Sequence, residues 1–361
     1  MKTSSTRIRV LVVDDSALMR KMIPMIISAD DSIEVVGTAM DGEFALKKIS
    51  ELEPDVVTLD IDMPRMDGLA ALKAIIRDFG TPVILVSSLT REGAETTLRG
   101  LEMGAFDFVP KPGDALSVHI ADIAHELIEK IKAASRSRRP RSRGPQEVRP
   151  KPLQPVVRAR PLPSETVVAI GISTGGPQAL AEILPDIPAD FPAGIVIVQH
   201  MPEGFTDLFS KRLDGMCAIR VKEADNGDVI GPGMALIAPG GKHLKVKRTP
   251  FGLVAVLSQA PTVSGHRPSA TVLFNSVADE LGSAAIGVIM TGMGDDGVEG
   301  LARIRQKGGM TIAQNEETSV IYGMPKVAIE NGYADMVLGL YEIVPRLAGI
   351  VEHNGVKAGA S

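Results

Sequence analysis

Short runs of β-branched residues alternate with longer helix-compatible stretches along two parts of this 361-residue chain. In the first part, the predicted strands cover residues 8–13, 34–39, 55–60, 82–87 and 107–109, and the predicted helices cover residues 17–29, 42–51, 68–79, 93–103 and 117–134. Parallel strands need crossover connections, which are right-handed and usually helical, so this alternation predicts a parallel sheet covered on both faces. The first part is therefore predicted to be a doubly wound α/β domain.

The same alternation resumes at Thr166. The predicted strands here cover residues 166–172, 194–199, 235–238, 285–290 and 310–314, and helices are predicted near residues 177–184, 204–213, 270–281 and 297–306. Residues 242–259 alternate in the manner of a β-hairpin, which would form either an antiparallel edge of the sheet or a small separate ribbon. The second part is predicted to be another doubly wound parallel-sheet domain, with a β-hairpin.

Residues 135–163 separate the two parts and carry seven prolines and nine Lys or Arg residues against one acidic residue, Glu147. The local charge is +8. Because the whole chain has a net charge of −5, the remaining residues carry −13. Such a stretch cannot bury enough apolar surface to offset its ordering entropy, which predicts an extended linker. Contact with nucleic acid or an anionic membrane is a second interpretation, and contact with the acidic surfaces that it joins is a third.

The composition narrows the functional classes. A single cysteine, Cys217, forms no internal disulfide and offers no zinc cluster, and the 3% aromatic content without Trp disfavours a platform for stacking nucleic-acid bases. The apolar runs are shorter than the roughly 20 residues that a membrane span requires. The N-terminal stretch ends in two aspartates without a small-residue cleavage site, so we expect a cytoplasmic protein with no membrane insertion.

Polar residues end or closely follow four of the predicted strands in the first part. They are Asp14, Asp15, Asp60, Ser87 and Lys111. Because the carboxyl ends of parallel strands meet at one edge of the sheet, we expect these side chains to lie close together. Three packed carboxylates repel one another, which implies a hard cation such as Mg²⁺, and one carboxylate is then able to attack phosphorus. Any one of these acids alone would more often be a helix cap or a solvated turn residue.

In the second part, the turn Gly171-Ile-Ser173-Thr-Gly175 follows a predicted strand and precedes a predicted helix. Such a turn lets a serine hydroxyl project beside main-chain N–H groups, although a glycine-rich anion loop without catalysis fits the pattern equally well. A serine nucleophile needs a base, and His200 follows the next strand at the same edge. His243 and His266 lie in predicted loops and are candidates for substrate contacts or for surface residues.

The base in turn needs an orienting carboxylate, and Asp295 and Asp296 follow a third buried strand. Adjacent acids do not point into one site equally, and the residues alone do not choose between these two. The resulting chain order of serine, histidine and aspartate differs from that of the α/β-hydrolases.

The first part resembles the receiver domain of two-component response regulators. The resemblance rests on Val-Val-Asp14-Asp15-Ser, Leu-Asp60-Ile-Asp-Met-Pro, Val-Ser87-Ser and Val-Pro-Lys111-Pro112, and it covers about residues 7–125. It implies a flavodoxin-like fold with Asp60 as phosphoacceptor, Asp14, Asp15 and Asp60 as Mg²⁺ ligands, and Ser87, Phe108 and Lys111 as switch residues. It also implies that the Lys111–Pro112 bond is cis.

The second part resembles the catalytic domain of the chemotaxis protein-glutamate methylesterases. The matching motifs are Gly-Ile-Ser173-Thr-Gly-Gly-Pro, Gln-His200-Met-Pro-Glu-Gly-Phe, His266-Arg-Pro-Ser and Thr-Gly-Met-Gly-Asp-Asp296-Gly. The resemblance implies a Rossmann-like domain with Ser173 as nucleophile, His200 as base and Asp296 as orienting carboxylate. It further implies the backbone N–H groups of Thr174 and Met293 as oxyanion donors, and no cofactor in this site. The predicted organisation is a receiver over residues 1–134, a linker over 135–163, a catalytic domain over 164–350 and a flexible tail over 351–361.

Together the two resemblances imply hydrolysis of glutamate γ-methyl esters on chemoreceptors, with deamidation of receptor glutamines left open. The implied phosphodonor is a chemotaxis histidine kinase, and phosphorylation is expected to relieve inhibition by the receiver. A response regulator that binds nucleic acid through its output domain is an alternative, but the acidic second part and the strand-end residues disfavour it. A scaffold without catalysis is a further alternative, which the retained serine, histidine and aspartate disfavour.

Overall fold

The computed structural model describes residues 7–63, 66–111, 120–137 and 166–355. The chain divides into two compact units, Met1–Gln146 and Glu147–Ser361. Each unit is a layered α/β structure built on its own parallel sheet. In the described ranges, no helix is both long enough and apolar enough to span a bilayer.

The N-terminal unit alternates five strands with five helices. They are β1 (Ile8–Val13), α1 (Met19–Ile27), β2 (Ile33–Ala39), α2 (Gly42–Leu52), β3 (Val56–Asp60), α3 (Gly68–Phe79), β4 (Val83–Ser87), α4 (Arg91–Glu102), β5 (Asp107–Pro110) and α5 (Ile120–Ser137). The sheet order is β2-β1-β3-β4-β5 with every pair parallel. Every residue of β3 and β4 is buried, as expected for central strands covered on both faces. The predicted doubly wound fold is confirmed.

Local capping fixes where helices begin on the functional edge of this sheet. The Asp41 side chain accepts a hydrogen bond from the backbone N–H of Phe44, and Asp67 does the same for Ala70. These are N-caps, which satisfy amide groups that have no partner within the helix. Helix α3 is followed by the C-cap Gly80, whose positive φ of 60° is the left-handed conformation that favours glycine.

The C-terminal unit contains a seven-stranded parallel sheet of order β14-β13-β12-β6-β7-β9-β8. Its elements are β6 (Val167–Ile172), α6 (Gly176–Ile183), β7 (Gly194–Gln199), α7 (Phe205–Asp214), β8 (Arg220–Glu223), β9 (Met234–Ile237), β10 (His243–Thr249), β11 (Gly252–Ser258), α8 (Ala270–Leu281), β12 (Ala285–Ile289), α9 (Val298–Gln306), β13 (Met310–Gln314), α10 (Met324–Glu330), β14 (Met336–Leu338) and α11 (Leu340–Gly355). The chain winds outwards from β6 in one direction and returns to pair β12 on its other side. This reversal places the topological switch point, where crevices form, between β6 and β12.

The hairpin over residues 242–259 is a separate ribbon and not an edge of the main sheet. Strands β10 and β11 pair only with each other as named strands in the described chain. The backbone N–H of Val246 donates to the Ser276 hydroxyl at 2.9 Å, which ties the ribbon to α8. The ribbon therefore braces the helix that begins beside the candidate hydrolytic site.

Candidate functional site

The three aspartates of the N-terminal unit form one cluster. Asp14 follows β1 and Asp60 ends β3, and carboxylate oxygens of Asp14, Asp15 and Asp60 all lie within 4.8 Å of one another. Asp14 and Asp60 are fully buried, whereas Asp15 is exposed. The predicted convergence of these residues at the carboxyl edge is therefore observed in the structure.

The three carboxylates of the cluster lie beside a single ammonium group, that of Lys111. Lys111 Nζ lies 2.7 Å from Asp60 Oδ2 but 3.9 Å from Asp14 Oδ2, which is too long for a hydrogen bond. Burial raises the pKa of the Asp14 carboxyl to about 6, and the Asp60 charge adds to the rise while Lys111 opposes it. Burial also raises the pKa of Asp60 against the opposing Lys111 hydrogen bond.

Asp14 Oδ2 is buried and has no hydrogen-bond partner among the described residues. A hard divalent cation such as Mg²⁺ prefers oxygen ligands, and a set of three carboxylates with an unpartnered oxygen provides them. Asp14, Asp15 and Asp60 therefore fit the Mg²⁺ that the sequence predicts.

The predicted switch residues surround the same edge. The Ser87 hydroxyl lies 3.2 Å from the Gly93 carbonyl and accepts a hydrogen bond from Thr97 Oγ1 at 2.6 Å, so it is directed towards α4. Phe108 is buried, and Lys130 Nζ lies 5.4 Å from the centre of its ring. Pro112, and with it the predicted cis bond after Lys111, lies outside the described residues.

In the C-terminal unit, Ser173 is the first residue after β6 and lies at the switch point. Its backbone N–H donates to the Thr291 carbonyl at 2.9 Å, which brings the loop after β12 against the serine. A side chain at Gly292 would lie 2.8 Å from Ser173 Cβ, so this approach requires a glycine. Gly175 has a positive φ of 74°, which makes the tight turn between Ser173 and α6.

His200 and Asp296 are joined directly. His200 Nε2 lies 2.8 Å from Asp296 Oδ2, and the carboxylate is 1% exposed. The other ring nitrogen, Nδ1, is buried and has no hydrogen-bond partner in the described part of the chain, so the structure does not join it to the Ser173 hydroxyl. Because Nε2 is engaged by the carboxylate, Nδ1 is the nitrogen left to accept a proton.

Asp296 is also anchored at the start of α8. Its carboxylate accepts from the Ser269 hydroxyl at 2.6 Å and from the backbone N–H groups of Ala270 at 2.6 Å and Thr271 at 3.2 Å. Burial alone would raise the pKa of this carboxyl, but the hydrogen bond and charge of His200, with those of Ser269 and Ala270, hold the pKa well below its usual range. The adjacent Asp295 is exposed. The structure thus distinguishes Asp296 from Asp295, which the sequence alone did not.

Thr174 follows Ser173 in the loop after β6, and Met293 lies in the loop after β12. Among the described residues, neither N–H donates to a backbone acceptor. The Thr174 carbonyl accepts from Thr291 Oγ1 at 2.9 Å, which links the two loops. The Thr291 side chain therefore ties the loop that contains Thr174 to the loop after β12, in which Met293 lies.

Two other histidines have different surroundings. His243 is fully buried; its Nδ1 lies 3.2 Å from the Ser269 backbone N–H and its Nε2 lies 3.0 Å from the Pro261 carbonyl, so it braces the residues before α8. His266 lies with its ring against that of His200. The sequence pattern left the roles of both histidines open, and it did not indicate Ser269 as a partner of Asp296. A serine directly before a predicted helix was the available signal, since it is typical of an N-cap.

Comparisons with known proteins find relatives that match both units. The family model for CheB methylesterase matches residues 168–347, and that for the response regulator receiver domain matches residues 10–121. The chain is 53% identical over 352 residues to protein-glutamate methylesterase/protein-glutamine glutaminase 2 of Koribacter versatilis, covering 95% of this chain and 96% of the relative. It is 46% identical over 353 residues to protein-glutamate methylesterase/protein-glutamine glutaminase of Pyrococcus horikoshii, covering 98% and 96%.

The C-terminal unit also resembles a solved structure. The CheB methylesterase catalytic domain of Thermotoga maritima is 43% identical, with a TM-score of 0.51, and the match covers 52% of this chain and all of that domain.

Proposed function

The chain belongs to the CheB methylesterase family, and we propose that it is a serine hydrolase that cleaves glutamate γ-methyl esters on chemoreceptors under control of phosphorylation at Asp60. The observation that carries the proposal is the 2.8 Å contact between His200 and the buried Asp296, with Ser173 on the neighbouring strand end. A hydrolytic serine requires such a base and orienting carboxylate.

The proposed reaction begins with the neutral His200 ring. Its Nε2–H donates to Asp296, and its Nδ1 accepts the proton of the Ser173 hydroxyl as the serine oxygen attacks the ester carbonyl. The oxyanion that develops accepts hydrogen bonds from the N–H groups of Thr174 and Met293, each contributing about 10²–10³ in rate in comparable enzymes. The protonated His200 then gives its proton to the methoxy oxygen, and methanol leaves.

The second half of the reaction regenerates the serine. Water loses a proton to His200 Nδ1 and attacks the acyl carbonyl, and the serine oxygen leaves with that proton. The product is a glutamate carboxylate. A glutamine side chain follows the same route with ammonia as the leaving group, so we propose that the chain also deamidates receptor glutamines, as the names of its relatives state for those proteins.

In the N-terminal unit, we propose that an Asp60 oxygen attacks the phosphorus of a phosphohistidine on a chemotaxis histidine kinase. A Mg²⁺ ion held by Asp14, Asp15 and Asp60 would supply charge neutralisation to the phosphoryl oxygens. The Lys111 ammonium, already 2.7 Å from Asp60, would pair with a phosphoryl oxygen. Ser87 would turn from its contacts with α4 towards the new phosphoryl group. This local change would alter the position of α4 in the phosphorylated receiver.

We further propose the predicted domain boundaries: a receiver over residues 1–134, a linker over 135–163, a catalytic domain over 164–350 and a tail over 351–361. The receiver lowers hydrolysis by the catalytic domain until Asp60 is phosphorylated. Phosphorylation relieves this inhibition only by the amount that it changes the free-energy difference between the inactive and active states. A cytoplasmic location and the absence of nucleic-acid partners stay predictions.

Methanol release from methylated receptor tests this proposal. Ser173→Ala should lose nearly all turnover, since removal of a hydrolytic serine costs about 10⁶ in a comparable enzyme. Asp60→Asn should keep its basal turnover but lose the increase that a small phosphodonor gives to the wild type. Retained turnover in Ser173→Ala would reassign the nucleophile, and a phosphodonor response in Asp60→Asn would reassign the phosphoacceptor.

A further inference from the structure

Gln199 connects the backbones of the two residues that carry the proposed chemistry. Its side-chain Nε2 donates to the Ser173 carbonyl at 3.0 Å and to the His200 carbonyl at 3.1 Å. We infer that Gln199 is a positioning residue, which sets the spacing of the nucleophile and the base. The inference rests on the proposed serine mechanism and assigns no contact between Gln199 and the substrate.

The place of Gln199 in the sheet explains why a connection is needed there. Strands β6 and β7 pair in parallel up to the partners Ile172 and Gln199, and the last ladder bond runs from the His200 N–H to the Ile172 carbonyl at 3.1 Å. Beyond this point the segment after β6 turns into α6 and the segment after β7 enters a loop. Sheet hydrogen bonds therefore no longer hold the two segments together. The Gln199 amide extends the hydrogen bonding across the gap.

The hydrogen-bond inventory of Gln199 supports a role for its two donors. The side chain is 2% exposed, and its Oε1 is buried with no hydrogen-bond partner among the described residues. A rotated amide would place Oε1 against two carbonyl oxygens, so the assigned orientation is the favourable one. A buried acceptor without a partner is destabilising, and an apolar side chain would fill this space without that cost. Retaining an amide here is therefore consistent with a requirement for its N–H groups.

Gly176 provides an independent observation. A Cβ atom at Gly176 would overlap Gln199 Oε1 and lie 2.9 Å from Ile172 Cγ1. Gly176 is the first residue of α6, where alanine would ordinarily favour the helix over glycine. The space above this glycine is thus occupied by the amide that joins Ser173 to His200. An alanine at this position would displace the amide while Gln199 itself remains in the chain.

The experiment uses the full-length protein with Gln199→Met, Gly176→Ala and the double variant. Methanol release from methylated receptor gives kcat and KM, and labelling of Ser173 by a fluorophosphonate reports the nucleophile and base without the receptor. In that labelling, the serine oxygen bonds to phosphorus, fluoride leaves and the serine proton passes to His200. Gly287→Ala is the matched control, because its methyl group would lie 2.8 Å from Leu301 and Ile304 in the core.

We expect Gln199→Met and Gly176→Ala each to lower kcat and the labelling rate by roughly ten- to a hundredfold with KM within about threefold, since small misplacements of reacting groups have effects of this size. The double variant should lose little more than either single variant, because both changes remove the same connection. Gly287→Ala should lower the thermal midpoint and leave kcat per folded molecule unchanged.

The inference is overturned if either single variant, once folded, keeps more than half of the wild-type kcat and labelling rate. It is also overturned if the control loses as much kcat at equal destabilisation. If Gln199→Met does not fold, Gly176→Ala decides. Wild-type protein that takes the label but releases no methanol would refute the proposed receptor esterase and leave the labelling test of Gln199 valid. Wild-type protein that takes no label would overturn both.

Discussion

The imidazole rings of His200 and His266 are stacked, with their centroids 3.8 Å apart and their planes inclined by 10°. His266 lies on the segment between the β10–β11 ribbon and α8, whereas His200 follows β7. The ring of the proposed base is therefore held in its plane from one face by His266, while Asp296 holds one edge by a hydrogen bond. In the proposed mechanism, His200 becomes positively charged while it lies against this ring.

His266→Ala should lower kcat by about five- to tenfold, because a ring face beside a cation contributes about 1 kcal/mol and also restricts rotation of the imidazole. His266→Phe keeps a flat ring and should stay within about threefold of the wild type. Steady-state methanol release measures both variants. If His266→Ala matches the wild type, or if Phe is as poor as Ala, the stack does not assist His200.

Asp295 and Asp296 should differ sharply despite being adjacent. Asp296→Asn should lower kcat by roughly 10⁴, because an amide in this position favours the wrong tautomer of the histidine. Asp295→Asn should stay within about twofold, since Asp295 is exposed. The same methanol assay compares the two variants at equal concentrations of folded protein. Comparable losses in both would show that the 2.8 Å contact with His200 is not the one that catalysis uses.

The edge of each sheet that carries the site was predictable. Asp60 ends a buried, β-branched strand, and Asp14, Ser173 and His200 each directly follow one. The choice between Asp295 and Asp296 was not predictable from the residues. Neighbouring side chains in a loop diverge according to φ and ψ, and both acids are equally able to pair with an imidazole. Only the folded loop shows which one is buried.

Some elements of the C-terminal unit were not predicted from the sequence, for physical reasons. Strand β8 has the sequence Arg-Val-Lys-Glu and occupies an edge of the sheet, so it lacks the apolar run of a central strand. Strand β14 has three residues, and α11 contains Pro345, which ordinarily argues against a helix interior. The stack of His266 on His200 joins positions distant in sequence, and no local pattern encodes it.

Lys130 should be a major stabilising residue of the N-terminal unit. It is 6% exposed, and its Nζ lies 3.1 Å from Asp107 Oδ1 and 2.6 Å from Glu126 Oε1. Lys130→Met would leave Asp107, which is also buried, without this cation, so we expect the free energy of unfolding to fall by about 3–5 kcal/mol. Urea denaturation followed by a probe in this unit measures the change.

Lys132→Met is the control on the same helix, because Lys132 pairs with Asp30 and Glu129 at a partly exposed position. It should cost less than about 1 kcal/mol. Equal effects from the two lysines would contradict the assignment of a buried ion pair to Lys130.

The stability of the C-terminal unit should depend on the charge of Asp296 at acidic pH. The folded protein holds the pKa of this carboxyl below its usual range, whereas the unfolded chain restores an ordinary value of about 3.9. A lowered pKa in the folded state means that the unfolded state binds the proton more readily, so the stabilisation is present above about pH 4 and is lost as the pH falls further. The difference in free energy of unfolding between wild type and Asp296→Asn should therefore be fully present near pH 5 and shrink towards pH 3. Urea denaturation across this range, followed by a probe in the C-terminal unit, measures the difference, and one that stayed constant or grew on acidification would show that the charge of Asp296 does not stabilise the fold.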